Sequence, residues 1–342
     1  MNWRLLSFCS ATHFIPVLLV GAMIAAVSPA SGQQIRYFQI ATGSSAGTYF
    51  PIGAVIANGL SNPRGAEFCG DPKKCGVPGL LAVSLTTQGS VDNVNRIADG
   101  EVESGFSQAD IAHAAYTGTG RFEKRGPVEN IRVIARLYTE ALHVVARQGL
   151  DMKSLANLKG GRVSIGLPGS GTAVDAELLL QRVGINIDDI AVKNMNSGAA
   201  ADALQQGRLD AFFAVTGVPS RAVESLASTR PVQILPIEGE LRDRWIFDYP
   251  FYSKAQIPGD AYPGIPLIET VGVSALWLVS SEIDEELVYQ LTRRLWNENT
   301  RRLLDNGHPK GRNIVLKNAI DGIALPLHDG ARRFYQEKAL ID

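Results

Sequence analysis

The sequence contains the same strand–loop–helix unit twice, and this duplication limits the possible folds more than any other feature. Residues 35–41 alternate like a β-strand, residues 43–48 are rich in Gly and Ser, and residues 49–60 carry apolar side chains at helical spacing. The same three segments follow again at residues 161–166, 168–172 and 173–183. Two such units predict an α/β protein.

A second pair of segments repeats in the same order. In each copy a serine, Ser90 or Ser197, begins a helix, and a glycine, Gly100 or Gly207, ends it. A charged–aliphatic–acidic step then leads into an apolar strand. The copies are too few and too far apart for a solenoid, so they predict two similar α/β lobes.

The rest of the chain predicts how the lobes connect. A strand over 131–137 is interrupted at Tyr138–Glu140 before a second strand over 143–147, which suggests a crossing between lobes. A Pro-, Gly- and aromatic-rich region over 248–266 precedes a strand over 271–279 and an amphipathic helix over 285–306. We therefore expect discontinuous lobes with two bendable crossings, at 137–141 and 260–271. Lobe 1 is expected to comprise residues 33–137 plus 272–342, and lobe 2 residues 138–271.

The charge balance excludes one broad class of function. The chain has 33 Lys and Arg against 34 Asp and Glu, a net charge of −1, so there is no basic excess to neutralise phosphates. No nucleic-acid partner is expected. After residue 40 no apolar run reaches the roughly 20 residues that a membrane-spanning helix needs.

The first 32 residues have the three parts of a secretory signal. Arg4 is followed by an apolar stretch over 14–27, and small residues at 28–32 suit a signal peptidase. The alternative is an uncleaved membrane anchor. We expect residues 1–32 to be a cleaved signal peptide and the mature protein to be periplasmic.

Two cysteines, Cys69 and Cys75, remain after the signal peptide. Their even number, their short spacing and the expected export favour one disulfide that closes a small loop. A zinc site would need further ligands, and no histidine lies nearby. The sequence predicts neither a metal site nor a cofactor, because it lacks metal-ligand spacing and a dinucleotide fingerprint.

The two Gly/Ser loops suit an anionic ligand. Each lies between the carboxyl end of a strand and the amino end of a helix, where free backbone N–H groups and the helix dipole attract negative charge. Ordinary helix capping by Ser and Thr is the alternative. Two matched loops facing each other across a cleft favour the binding of a carboxylate.

Two short motifs suggest other chemistry. Residues 43–47 fit the pattern G-x-S-x-G of a hydrolase nucleophile, with Ser45 as the serine, although no histidine after the signal peptide lies in a motif typical of a catalytic triad. Residues 166–172 space their glycines like a phosphate-binding loop but lack its lysine. A secreted serine hydrolase therefore stays open as an alternative, and an ester-hydrolysis assay would distinguish it.

Several motifs together resemble the TAXI family of solute-binding proteins, the extracytoplasmic receptors of TAXI-type TRAP transporters. They are ATGSSAGTYFPIG at 41–53, QGSVDNV at 88–94, FSQAD at 106–110, LYTE at 137–140, LPGSGT at 167–172 and DAFFAVTGVP at 210–219. The resemblance implies a type II periplasmic-binding-protein fold, with two α/β lobes and a ligand cleft between them. It also implies no enzymatic activity, a small carboxylate or amino-acid ligand such as glutamate, and TRAP membrane subunits as partners that use an ion gradient.

The resemblance also implies a set of ligand-binding residues, carried over motif by motif. They are Gly43, Ser44, Gly47, Thr48, Tyr49, Ser90, Gln108, Tyr138, Glu140, Ser170, Gly171, Thr172, Thr216 and Gly217. Glu140 would favour a ligand that carries an amine, or it forms a salt bridge at the hinge. Tyr49, Tyr138 and Thr216 could instead be packing residues. A receptor that reports to a membrane sensor is a third functional alternative.

Overall fold

A ten-stranded mixed sheet runs through the part of the chain that the computed structural model describes, residues 35–63, 75–150 and 152–342. Two very short strands, β2 and β3, pair separately. The strands are β1 (Arg36–Ala41), β2 (Ser61–Asn62), β3 (Val77–Pro78), β4 (Leu80–Leu85), β5 (Ser104–Gln108), β6 (Ile131–Arg147), β7 (Arg162–Ser164), β8 (Ala191–Lys193), β9 (Ala211–Thr216), β10 (Val232–Ile234), β11 (Tyr252–Ile257) and β12 (Ile268–Ser280).

Helices cover this sheet, and most begin within a few residues of a strand's end. They are α1 (Tyr49–Leu60), α2 (Ser90–Ala98), α3 (Ala109–Thr117), α4 (Gly171–Arg182), α5 (Ser197–Gln205), α6 (Arg221–Thr229), α7 (Gly239–Asp248), α8 (Glu285–Leu295), α9 (Glu298–Gly307) and α10 (Asp329–Glu337). The predicted helix over 49–60 has the same bounds in the structure.

The strand order is symmetric about its centre. The sheet runs β4-β1-β5-β12-β6-β9-β7-β8, so β1 and β7, β4 and β8, β5 and β9 occupy equivalent positions. We call β1, β4 and β5 with α1–α3 and α8–α10 the first half, and β7–β11 with α4–α7 the second half. The predicted duplication is therefore present as two equivalent arrangements of parallel strands.

Two long strands, β6 and β12, connect the halves. The first part of β6 pairs with β12, and its last part pairs with β9 and β10 of the second half. The predicted interruption at Tyr138–Glu140 is wrong, because this stretch keeps its ladder partners: Tyr138 lies opposite Ala275, and Ala141 opposite Gly272. Within this stretch Glu140 lines the site described below, whereas Tyr138 packs in the core of the first half.

One other sequence prediction is corrected by the structure, and a region with no predicted element contains a strand. The helix over 285–306 is two helices, because Asn297 Oδ1 accepts a hydrogen bond from the Thr300 amide at 2.8 Å and so begins a new helix. The region over 248–266 contains the strand β11, which pairs with β12. The chain consequently crosses between the halves within β12 itself, after the bend over 260–267.

Three apolar clusters form the core. One lies in the first half and includes Phe38, Trp277 and Tyr335. A second lies in the second half around Phe212. The third extends over both halves and includes Trp245. The shared cluster means that the halves are packed against each other in this arrangement.

Two sequence predictions concern residues that lie outside the described part of the chain. The signal peptide over 1–32 is one of them. The other is the Cys69–Cys75 disulfide, since Cys69 lies outside the described residues; both stay predictions. Among the described helices, none has the length and apolar character needed to cross a membrane.

Candidate functional site

A cavity of about 90 Å³ lies between the two halves. A bound water needs roughly 10–15 Å³ of such space, so the cavity has room for a small organic molecule. Both halves contribute to its walls. The lining residues are Gly43, Ser44, Gly47, Thr48, Tyr49, Gln88, Gly89, Ser90, Gln108, Glu140, Gly166, Leu167, Ser170, Gly171, Thr172, Met195, Asn196, Ser197, Phe213, Ala214, Val215 and Thr216.

Four helices begin at this cavity. The first residues of α1 (Tyr49), α2 (Ser90), α4 (Gly171) and α5 (Ser197) all line it, two from each half. The first turn of a helix leaves backbone N–H groups without intrahelical partners and carries the positive end of the helix dipole. The cavity therefore has a positive electrostatic character that comes from the backbone.

The loop before α1 joins the two halves directly. Thr48 Oγ1 lies 2.9 Å from Thr216 Oγ1 of β9 and accepts a hydrogen bond from the Gly217 amide at 3.1 Å. On the opposite rim, the Asp92 amide donates to the Gly169 carbonyl at 2.9 Å. These bonds connect residues from different halves, so the structure shows the halves in contact around the cavity.

At the start of α4, two hydroxyl groups differ in their availability to a ligand. Ser170 Oγ donates to the Leu167 carbonyl at 2.6 Å and accepts from the Ala173 amide, so it serves as the helix cap. Thr172 Oγ1 accepts from the Val215 amide at 3.1 Å, which leaves its own proton available to the cavity that it lines. Of the two, Thr172 is the better donor to a bound anion.

Gly171 lies against Gln108 of the first half. A methyl group at position 171 would overlap the side-chain amide of Gln108. That amide is held in place, because its Nε2 donates to Asp175 Oδ2 at 2.8 Å. A larger residue at position 171 would have to push the Gln108 amide out of this hydrogen bond, so the glycine favours the close approach of the halves.

Glu140 is the acidic side chain of the cavity lining. It lies on β6, is 3% exposed, and accepts a hydrogen bond from the Tyr49 hydroxyl at 2.7 Å. Burial raises the pKa of the Glu140 carboxyl to about 8, although the Tyr49 hydrogen bond and nearby Lys310 act in the opposite direction. Near pH 7 this group is largely protonated, unless a bound cation favours its ionised form.

Among the described residues that line the cavity there is no Lys, Arg or His. Lys310 lies close by, and burial lowers its pKa while Glu140 raises it. A bound anion would therefore be held by amides and hydroxyls. If the ligand also carries an ammonium group, Glu140 is the acidic side chain of the described lining with which it could pair.

The structure brings together most of the residues that the sequence comparison selected. All of them line the cavity except Tyr138 and Gly217. Tyr138 is buried in the core of the first half, and its hydroxyl has no hydrogen-bond partner among the described residues. Gly217 lies behind Thr48, to which its amide donates.

Sequence reasoning missed several lining residues. Ser197 begins α5 as Ser90 begins α2, so the repeat itself could have indicated Ser197 and its capping neighbour Asn196. Gln88 and Met195 gave no such signal. Gln88 reaches the other half, because its Oε1 accepts a hydrogen bond from the Gly169 amide at 3.1 Å.

The structure offers no support for a nucleophilic Ser45. This residue is exposed and lines a different surface pocket, next to Gly198 and Arg221. Among the described residues, no histidine lines that pocket or the central cavity. In the same part of the chain, no group of three or more His, Cys, Asp or Glu is arranged to hold a metal ion.

Solved structures share this fold. MatC from Rhodopseudomonas palustris with bound malate is 17% identical, with 89% of this chain and 97% of that chain covered and a TM-score of 0.52. PhnD1 from Prochlorococcus marinus in complex with methylphosphonate is 12% identical, with coverage of 90% and 100% and a TM-score of 0.52. A periplasmic transporter is 12% identical, with coverage of 89% and 93% and a TM-score of 0.50. The expected periplasmic-binding-protein type of α/β fold is confirmed.

The sequence of the chain matches a known protein family. A model of the NMT1-like family matches residues 40–339, which include both halves and every residue that lines the cavity. Because the match extends over most of the chain, the protein belongs to the NMT1-like family.

Proposed function

We propose that the protein is an extracytoplasmic solute receptor of a TAXI-type TRAP transporter, which binds a small carboxylate or amino acid between its halves and delivers it to membrane subunits. The observation that carries the proposal is the meeting of four helix N-termini at one small cavity, whose described lining residues include no Lys, Arg or His. Such a site binds an anion through backbone amides and hydroxyls. Export into the periplasm by residues 1–32 is part of the proposal.

The fold accommodates ligands of this class. The two structures described above contain small anions, malate in MatC and methylphosphonate in PhnD1. In the present chain we assign the ligand carboxylate to Thr172 and the loop over 43–48, and a ligand amine to Glu140.

We further propose that the halves act as lobes that close on the ligand. The boundaries are the expected ones, 33–137 plus 272–342 for one lobe and 138–271 for the other. With these boundaries the chain passes from one lobe to the other twice, once within β6 and once within β12. Both positions lie close to the pair Ala141–Gly272. Contacts such as Thr48–Thr216 would form only on closure, and hinge bending of this kind is common in binding proteins.

A thermal-shift screen of small carboxylates and amino acids tests the function. A ligand present at about 100 times its Kd stabilises the folded state by roughly 2.7 kcal/mol. We expect at least one small carboxylate to raise the melting temperature, and we expect phosphate esters and neutral sugars to have no effect. A screen in which only sugars or nucleotides stabilise the protein would contradict the proposal. Genes for TRAP membrane subunits beside this gene would favour transport over sensing.

Substitution of Thr172 tests the proposed anion contact. Thr172→Val removes the hydroxyl proton that faces the cavity, and a charge-assisted hydrogen bond contributes about 1.5–3 kcal/mol. We expect affinity for the carboxylate found in the screen to fall about tenfold or more, as measured by calorimetry. Thr172→Ser keeps the hydroxyl and is the matched control, with near-normal affinity. Equal affinity in all three proteins would remove Thr172 from the site.

A further inference from the structure

Two carboxyl groups from opposite halves meet beside the cavity without lining it. Asp110 lies on α3 of the first half, and the fully buried Asp175 lies on α4 of the second. The Tyr252 hydroxyl oxygen is 3.0 Å from Asp110 Oδ2 and 2.5 Å from Asp175 Oδ1. Gln108, which does line the cavity, donates to the other oxygen of Asp175. One phenol thus joins a carboxyl group from each half.

The hydrogen-bond count requires an additional proton. A phenol has one proton and can donate it to only one of the two carboxyl groups. The phenol therefore donates to one of the two aspartates. The contact with the other aspartate is favourable only if that aspartate is protonated and donates its proton to the phenol oxygen or to the first carboxylate. Asp110 Oδ1 is shielded from solvent and has no hydrogen-bond partner among the described residues, so water does not compensate for a second negative charge.

Hydrogen bonds from Tyr252, Gln108 and the Ile111 backbone lower the pKa values of the pair, but burial outweighs them. Burial raises the pKa of Asp110 to about 6 and raises that of Asp175 well above its ordinary value, and Glu140 of β6 adds to the shift of Asp175. Tyr252 of β11 contributes only its neutral hydroxyl.

Two basic groups on the packed helices have other contacts. Arg182, farther along α4, pairs with Asp248 at 2.6 Å and lies over the Tyr249 ring. His113 on α3 packs against the Phe251 ring.

We propose that closure of the cleft captures one proton at the Asp110–Asp175 pair, so that acidification favours the closed form of the receptor. With the halves apart, each carboxyl group would face water and ionise as an ordinary aspartate. The closed form then binds more protons than the open form. The equilibrium constant for closure should fall as pH rises, by up to about tenfold per pH unit, until it levels off above the raised pKa values. The inference depends on the proposed closure and not on the identity of the ligand.

Amide hydrogen exchange of the ligand-free protein tests this directly. The Asp92 and Gly217 amides donate across the cleft, to the Gly169 carbonyl and to Thr48 Oγ1, so their protection reports closure. After correction for intrinsic exchange rates, we expect their protection to fall between pH 5 and pH 8. The Val128 amide, which donates to the Ala115 carbonyl within the first half, should keep its protection and verifies folding of each variant.

Neutral substitutions identify the proton site. Glu140 is a further buried carboxyl group with a raised pKa, so Asp110→Asn and Asp175→Asn are each made in a Glu140→Gln background. There we expect protection at the two reporter amides to become nearly independent of pH. Asp188→Asn in the same background, at an exposed position of the second half, is the control and should keep the slope of Glu140→Gln. A flat wild-type profile would overturn the proposal by itself. So would a slope that survives in both double variants or is already lost in Glu140→Gln alone, since the proton would then be held elsewhere.

Discussion

Replacing Gly171 by Ala is expected to weaken ligand binding by roughly 5- to 150-fold while leaving the protein folded. The added methyl group would overlap the Gln108 side chain, which the hydrogen bond to Asp175 holds in place. Overpacking of this kind costs about 1–3 kcal/mol, which corresponds to roughly 5- to 150-fold in affinity. The two residues lie in different halves, so the cost falls on closure and not on the folding of either half.

Calorimetry with the carboxylate found in the screen, together with ligand-free melting, measures this effect. Alanine is favoured over glycine in a helix by about 1 kcal/mol, so the melting temperature should not fall. The double variant Gly171→Ala/Gln108→Ala keeps the added methyl group and removes the side chain that it would overlap. It should bind as well as Gln108→Ala alone. Wild-type affinity in Gly171→Ala would mean that ligand binds without the approach of the two halves seen here.

Glu140→Gln is expected to weaken binding of an amino-acid ligand by about 10- to 100-fold, the contribution of a buried charge-assisted contact. The same substitution should hardly affect binding of the same ligand without its amine. That analogue has no positive charge to pair with the Glu140 carboxylate. Calorimetry with such a pair of ligands measures the difference. If both ligands lose affinity equally, Glu140 has a structural role at the crossing between halves and does not bind the amine.

The pH dependence of Glu140 has a definite sign. Its pKa is raised to about 8, so below that pH an amine-bearing ligand must displace a proton to form the ion pair. The ratio of wild-type to Glu140→Gln affinity should therefore rise from pH 6 to pH 8 and then level off. Tyr49→Phe removes a hydrogen bond that lowers this pKa, so the midpoint of the rise should move to higher pH.

Much of the site could be predicted because it depends on local sequence. Gly/Ser loops between strands and helices place backbone amides wherever the helix begins, so the loops over 43–48 and 168–172 indicate anion binding without knowledge of the fold. The residues that were missed, Gln88 and Met195, have no such local signature. Gln88 also contacts the other half, where its Oε1 accepts a hydrogen bond from the Gly169 amide.

The sequence by itself determined the duplicated α/β plan, the position of the helix N-termini and the absence of a basic excess, since each depends on short-range periodicity or on composition. Tertiary structure decided the continuity of β6 through Tyr138–Glu140, which holds because β12 supplies ladder partners. It also decided the protonation of Glu140 and the meeting of Asp110 with Asp175 at Tyr252. A pKa depends on burial and on neighbours that are distant in the chain, and these exist only after the two halves have packed together.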